Sequence, residues 1–144
     1  MIIDKSLEIS SGQGSITSAG AYYGTNWIDL STVGTQIYES APYFVVRVGT
    51  AFLTGDSLSF ALVSSTAAAT DAAGTSLGTT TVEVESGAIV TASLTINTIV
   101  WKVRLPEKID RRYLGLKITA VASSSFTAGD FDAFFTPHIP LDAL

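Results

Sequence analysis

One histidine, two pairs of carboxylates and a few clustered aromatic rings are the side chains of this sequence that have chemistry to offer. His138, the only histidine, lies between Pro137 and Pro140. A general base needs an oriented partner and a metal site needs companions, and the sequence around it names neither, so a solvated or interface histidine is expected. Glu83 with Glu85 and Asp130 with Asp132 are spaced two apart, which in a strand puts each pair on one face. Such pairs can bind a cation or divide acid and base roles. Val82 and Val84 alternate with the first pair and predict a solvent-facing row of acids; the same reading is given to Asp130 and Asp132, with a neighbouring subunit as the alternative to water because they lead into Phe134-Phe135. Serines and threonines abound without a Gly-x-Ser-x-Gly elbow, and Gly12-Gln13-Gly14 lacks the flanking elements and third glycine of a dinucleotide loop. Tyr22, Tyr23 and Trp27 could stack against a sugar, although aromatic residues at the start of a sheet more often pack its edge. The expectation from this inventory is no enzyme, no catalytic residue, no cofactor and no metal.

The elements that must carry these residues are strands. The chain has 144 residues, 47% of them hydrophobic and 15% charged, enough for one domain with a core and far from a disordered composition. Its apolar residues fall in short runs: Trp27 to Leu30, Tyr43 to Val48, Ser57 to Val63, Thr79 to Glu85, Ile96 to Leu105, Arg112 to Val121 and Asp130 to Phe135. Leu58, Phe60 and Leu62 alternate with small residues, as do Leu114, Leu116, Ile118 and Ala120. Period two with one apolar face is a half-buried antiparallel strand. Ile99, Trp101, Val103 and Leu105 are read as one face of a strand stopped by Pro106, and the Ala/Ser/Thr/Gly stretch from Ser64 to Gly78 as a long loop. No apolar stripe of helical period runs for ten residues. The predicted class is all-β, a two-sheet antiparallel sandwich, with jelly-roll and immunoglobulin-like topologies both compatible with the pattern. The expected division is an N-terminal arm over residues 1–24, the domain over 25–136 and a tail over 137–144.

Charge and cysteine content narrow the partners. Eight Lys and Arg against thirteen Asp and Glu give a net charge of −5 with no basic patch, which predicts no nucleic-acid partner. Cysteine is absent, so neither disulfides nor thiolate metal sites arise. No apolar run approaches a membrane span and no signal peptide opens the chain, so a protein kept in the cytosol unless carried out on a larger particle is expected. Low charge on a small domain also favours self-association or docking on a partner.

Read in order, Asp4-x-x-Leu7, Ser11-x-Gln13, Thr25-Asn26-Trp27-Ile28-Asp29-Leu30, Pro42-Tyr43-Phe44-Val45-Val46-x-Val48, Leu58-Ser59-Phe60-Ala61-Leu62, Arg104-Leu105-Pro106, Arg112-Tyr113-Leu114-Gly115-Leu116 and Phe126 to Phe134 form a succession that resembles the cement, or decoration, proteins of short-tailed and related tailed phages. The resemblance implies a jelly-roll protomer, assembled as a homotrimer on the outer surface of a phage head, whose partner is the major capsid protein. The residues suited to such contacts are Ile2, Ile3, Asp4, Leu7, Ile9 and Gln13 of an adaptable, apolar-dotted arm, and Arg111, Arg112 and Tyr113 just after a turn. The alternative reading of the cation pair is turn closure. A carbohydrate- or receptor-binding jelly-roll module of a phage tail or fibre is the rival function, because fold does not fix function. A cupin-like metal enzyme would want a histidine cluster, which a chain with one histidine does not have.

Overall fold

The computed structural model describes residues 8–13, 16–24, 26–31 and 42–137, with residues 11–13 as backbone only. Nine strands form among the described residues: β1 Glu8–Gln13, β2 Gly20–Tyr23, β3 Ile28–Asp29, β4 Tyr43–Leu53, β5 Ser57–Ser65, β6 Thr80–Val90, β7 Ile99–Arg104, β8 Tyr113–Val121 and β9 Ala128–Thr136. A 3-10 turn, Thr91–Ser93, lies in the β6–β7 connection.

The pairing is that of a hairpin rolled on itself. β1 pairs β9, β2 pairs β8, β4 pairs β7 and β5 pairs β6, all antiparallel, as they would if the whole chain were doubled back once. Rolling then adds the pairs β4 with β9 and β5 with β8. The result is two sheets, β1-β9-β4-β7 and β2-β8-β5-β6, with β3 also on β8, and this is a jelly roll.

Uninterrupted alternation places the core where period two predicts it. Leu114, Leu116 and Ile118 of β8 and Leu58, Phe60 and Leu62 of β5 are wholly buried and meet Phe44, Val46, Val48 and Phe131 from the other sheet. Burying one such side chain contributes about 1.5–3 kcal/mol relative to leaving it in water. Val45 and Phe134, opposite each other in register, are also buried but belong to the outward phase of their strands, outside the core cluster.

Four readings of the sequence are corrected. The segment read as an arm is largely sandwich in its described part: β1 and β2 are strands of the two sheets, and Ile9 and Ile16 lie in the core at 0% and 3% exposure. Its apolar residues are sparse because the irregular pairing of β1 with β9 breaks strict alternation. In β7 the phase reverses at Val100, which the register skips between Arg47–Ile99 and Val46–Trp101, so Val100, Trp101 and Val103 pack on the core and Ile99 does not. The strand β6 runs on to Val90 through Gly87, whose φ of +74° marks a bulge where Ser59 faces Ala88 and Ala61 faces Glu85. The 64–78 loop begins two residues late, since Ser64 and Ser65 still pair in β5. The rest of it is pinned, with the Tyr23 amide donating to the Ala72 carbonyl at 2.8 Å and Ala69 buried.

The core register makes two kinds of substitution decisive. Phe60→Asp or Leu116→Asp puts an unpaired charge among buried apolar groups, at a cost of several kcal/mol against a total of about 5–15, and no folded protein is expected. Ile9→Ala should lower stability by about 2–5 kcal/mol. Denaturant melts followed by circular dichroism check both, and an unchanged midpoint for Ile9→Ala would show that β1 is dispensable.

Candidate functional site

The strands end in two sets of connections, and one set gathers most of the charge. The β7–β8 connection reads Arg104-Leu105-Pro106-Glu107-Lys108-Ile109-Asp110-Arg111-Arg112. Two apolar residues anchor it. Leu105 is buried and its amide donates to the Pro42 carbonyl at 2.7 Å, while Ile109 packs against the core. Glu107 and Lys108 between them stand exposed.

A hydrogen-bonded network ties the connection to β6. The Glu83 carboxylate oxygen Oε1 accepts from Ser64 Oγ at 2.6 Å and from the Asp110 amide at 2.9 Å. Thr81 Oγ1 donates to Asp110 Oδ2 at 2.9 Å and accepts from Arg111 Nε at 3.3 Å, and Arg111 Nε lies 3.7 Å from the same carboxylate. Beside it Arg112 forms a two-pronged bond with Asp29 of β3, Nε to Oδ1 at 3.0 Å and Nη2 to Oδ2 at 2.8 Å. Its guanidinium carbon also sits 5.1 Å from the centre of the Tyr113 ring. Arg112, followed by the amide and hydroxyl of Ser31, holds the Asp29 carboxyl well below the ordinary carboxylate range.

Arg111, Arg112 and Tyr113 lie at one end of the sandwich, where the two arginines tie the β7–β8 connection to Thr81 of β6 and Asp29 of β3. The row of acids read at Glu83 and Glu85 is corrected. Leu62 faces Val84 and Val63 faces Val82, leaving Glu83 as the extra residue of a bulge, so Val82 is 51% exposed and Glu83 turns to its acceptor role. Asp130 and Asp132 do share the outward phase of β9; Asp130 accepts from Thr50 Oγ1 at 3.0 Å and Asp132 lies opposite Arg47. Ile2, Ile3, Asp4, Leu7 and His138 lie outside the described residues, the Gln13 backbone lies in β1, and Ile9 is too deeply buried to touch a partner.

The aromatic residues are used by the fold. Tyr22 and Tyr23 point to opposite faces of β2. Tyr22 packs on the core and its hydroxyl donates to the Ser18 carbonyl at 3.0 Å, while Tyr23 covers Gly74. The Trp27 ring lies on Gly115, where a Cβ would come within 2.3 Å of it, and its Nε1 donates to the Gly24 carbonyl at 2.8 Å. No three His, Cys, Asp or Glu side chains among the described residues are grouped to hold a metal.

The fold and its ends define a jelly-roll sandwich whose polar groups are organised at one end. Residues 9–135 match the Bbp16 family model, a span from the first strand to the last, and the chain belongs to the Bbp16 family of phage proteins. No curated protein matches it.

Two substitutions test this geometry. Arg112→Ala should raise the Asp29 carboxyl midpoint toward 3.8, read by NMR titration. The sign follows from linkage: a depressed folded value contributes stability above the ordinary value that is lost as pH falls through the folded one, so the variant's acid unfolding should lose that component. Gly115→Ala should displace Trp27, costing about 1–3 kcal/mol and shifting its fluorescence to the red; an unshifted spectrum would mean that the ring does not rest on Gly115.

Proposed function

We propose that this protein is a non-enzymatic structural component of a phage virion, which binds the outside of the head and bridges neighbouring capsomers as a homotrimer. The observation that carries the reading is membership of a phage family whose match spans the entire sandwich. A sandwich with an end braced by hydrogen bonds among Glu83, Asp110, Thr81 and Arg111 suits docking, since that network need not be built on binding.

The mechanism is avidity. One contact below standard interface size binds weakly, but three on one trimer act together and raise avidity by roughly 10²–10⁴ over a single contact. Bridging in this way resists the separation of capsomers under the pressure of packaged DNA. The end bearing Lys108, Arg111, Arg112 and Tyr113 is the surface offered to the major capsid protein, which would present acidic groups there.

Co-sedimentation with expanded, undecorated heads tests this. The full chain should pellet with the heads and Lys108→Glu/Arg111→Glu should not, because a loss of about 1.4 kcal/mol per contact is tenfold and multiplies over three contacts. Equal pelleting of both proteins would remove this end from the contact, and no pelleting of the full chain would refute the reading itself.

A further inference from the structure

Charge is unevenly divided between the two ends of the sandwich. At the end opposite Arg104 to Arg112 lie the β1–β2, β4–β5, β6–β7 and β8–β9 connections, and in the described residues of 14–19, 54–56, 91–98 and 122–127 Asp56 is the only ionisable side chain. Its carboxylate is already engaged, accepting from the Ser123 amide at 2.9 Å and the Ser123 hydroxyl at 3.1 Å. The same end holds four of the five large apolar side chains exposed among the described residues: Leu53 at 52%, Val90 at 58%, Ile96 at 61% and Val121 at 54%. Val90 and Val121 flank Ser57 in register and stand in one row on the outer face of their sheet.

This end is also preorganised. The Thr91 amide donates to the Asp56 carbonyl at 3.0 Å, the Phe126 amide to the Thr17 carbonyl at 2.9 Å and the Thr127 amide to the Leu53 carbonyl at 3.1 Å, so all four connections are cross-braced. Beneath them Phe126 is buried, edge to face with Phe52. Docking here would order little that is not ordered already.

Single exposed apolar side chains are ordinary, but their concentration where charge is missing is the composition of an interface core. The charge pattern also selects the occupant. Around a rotation axis identical residues of every copy converge, so each charge would meet its own like, and an apolar end whose single carboxylate, Asp56, is already engaged by Ser123 keeps that repulsion small. We infer that this end is the self-association surface, where copies of the chain meet through Leu53, Val90, Ile96 and Val121. The inference rests on the reading of the protein as a self-associating virion component and names the surface for it.

Size-exclusion chromatography with light scattering on the full chain, Ile96→Glu, Val121→Glu and Lys108→Glu tests it, with melting curves and head co-sedimentation alongside. The full chain and Lys108→Glu should run at a multiple of 15.1 kDa, and the two apolar-end variants at 15.1 kDa, still unfolding cooperatively but with a midpoint that no longer depends on protein concentration. Variants that keep the parent mass overturn the inference, and if they also lose head attachment this end faces the shell instead. A monomeric parent that still decorates heads overturns it too, while leaving the virion reading intact. Monomeric variants of an oligomeric parent that never attaches to heads would uphold the surface and refute the virion reading.

Discussion

The rings of Phe60, from one sheet, and Phe131, from the other, meet edge to face with centroids 5.3 Å apart. Around that contact the inward faces of β5 and β8 close on those of β4 and β9, the four strands that rolling the hairpin brings together. Side-chain alternation fixes these registers, because a slip of one residue would turn Phe60 and its neighbours out to water. Once the four central strands are set, both ends of the sandwich follow: antiparallel pairing puts the β4–β5, β6–β7 and β8–β9 connections at one end and β5–β6 and β7–β8 at the other.

The central strands are also the part most legible in the sequence. Leu114, Leu116, Ile118 and Ala120 alternate without a break and all four are buried. Legibility fails where bulges enter. The extra residue at Glu83 and the left-handed Gly87 each shift the phase of β6, and Val100 does the same in β7, so a strict period misassigns Val82 and Ile99. In β1 and β2 the inward positions are few and irregularly spaced, which made a pair of sheet strands read as an arm.

The charged end was half visible. Arg111, Arg112 and Tyr113 stand out in the sequence, but their partners do not: Asp29 is 83 residues from Arg112, and Glu83 is 27 from Asp110. No local pattern signals such pairs, because they are products of the roll. The same is true of the apolar end, whose four connections are unremarkable singly and form one surface only when the topology collects them. A sandwich with one charged end and one apolar end can meet two different neighbours without competition between them, which suits the proposed pairing of self-association with attachment to a shell.

An electron cryomicroscopy map of the virion that carries this protein tests the central claim most directly. The account predicts jelly-roll density on the outer surface of the head, spanning junctions between capsomers, with the connection around Arg111 and Arg112 turned toward the shell. Absence of such density from the head, or its presence in the tail, would contradict it.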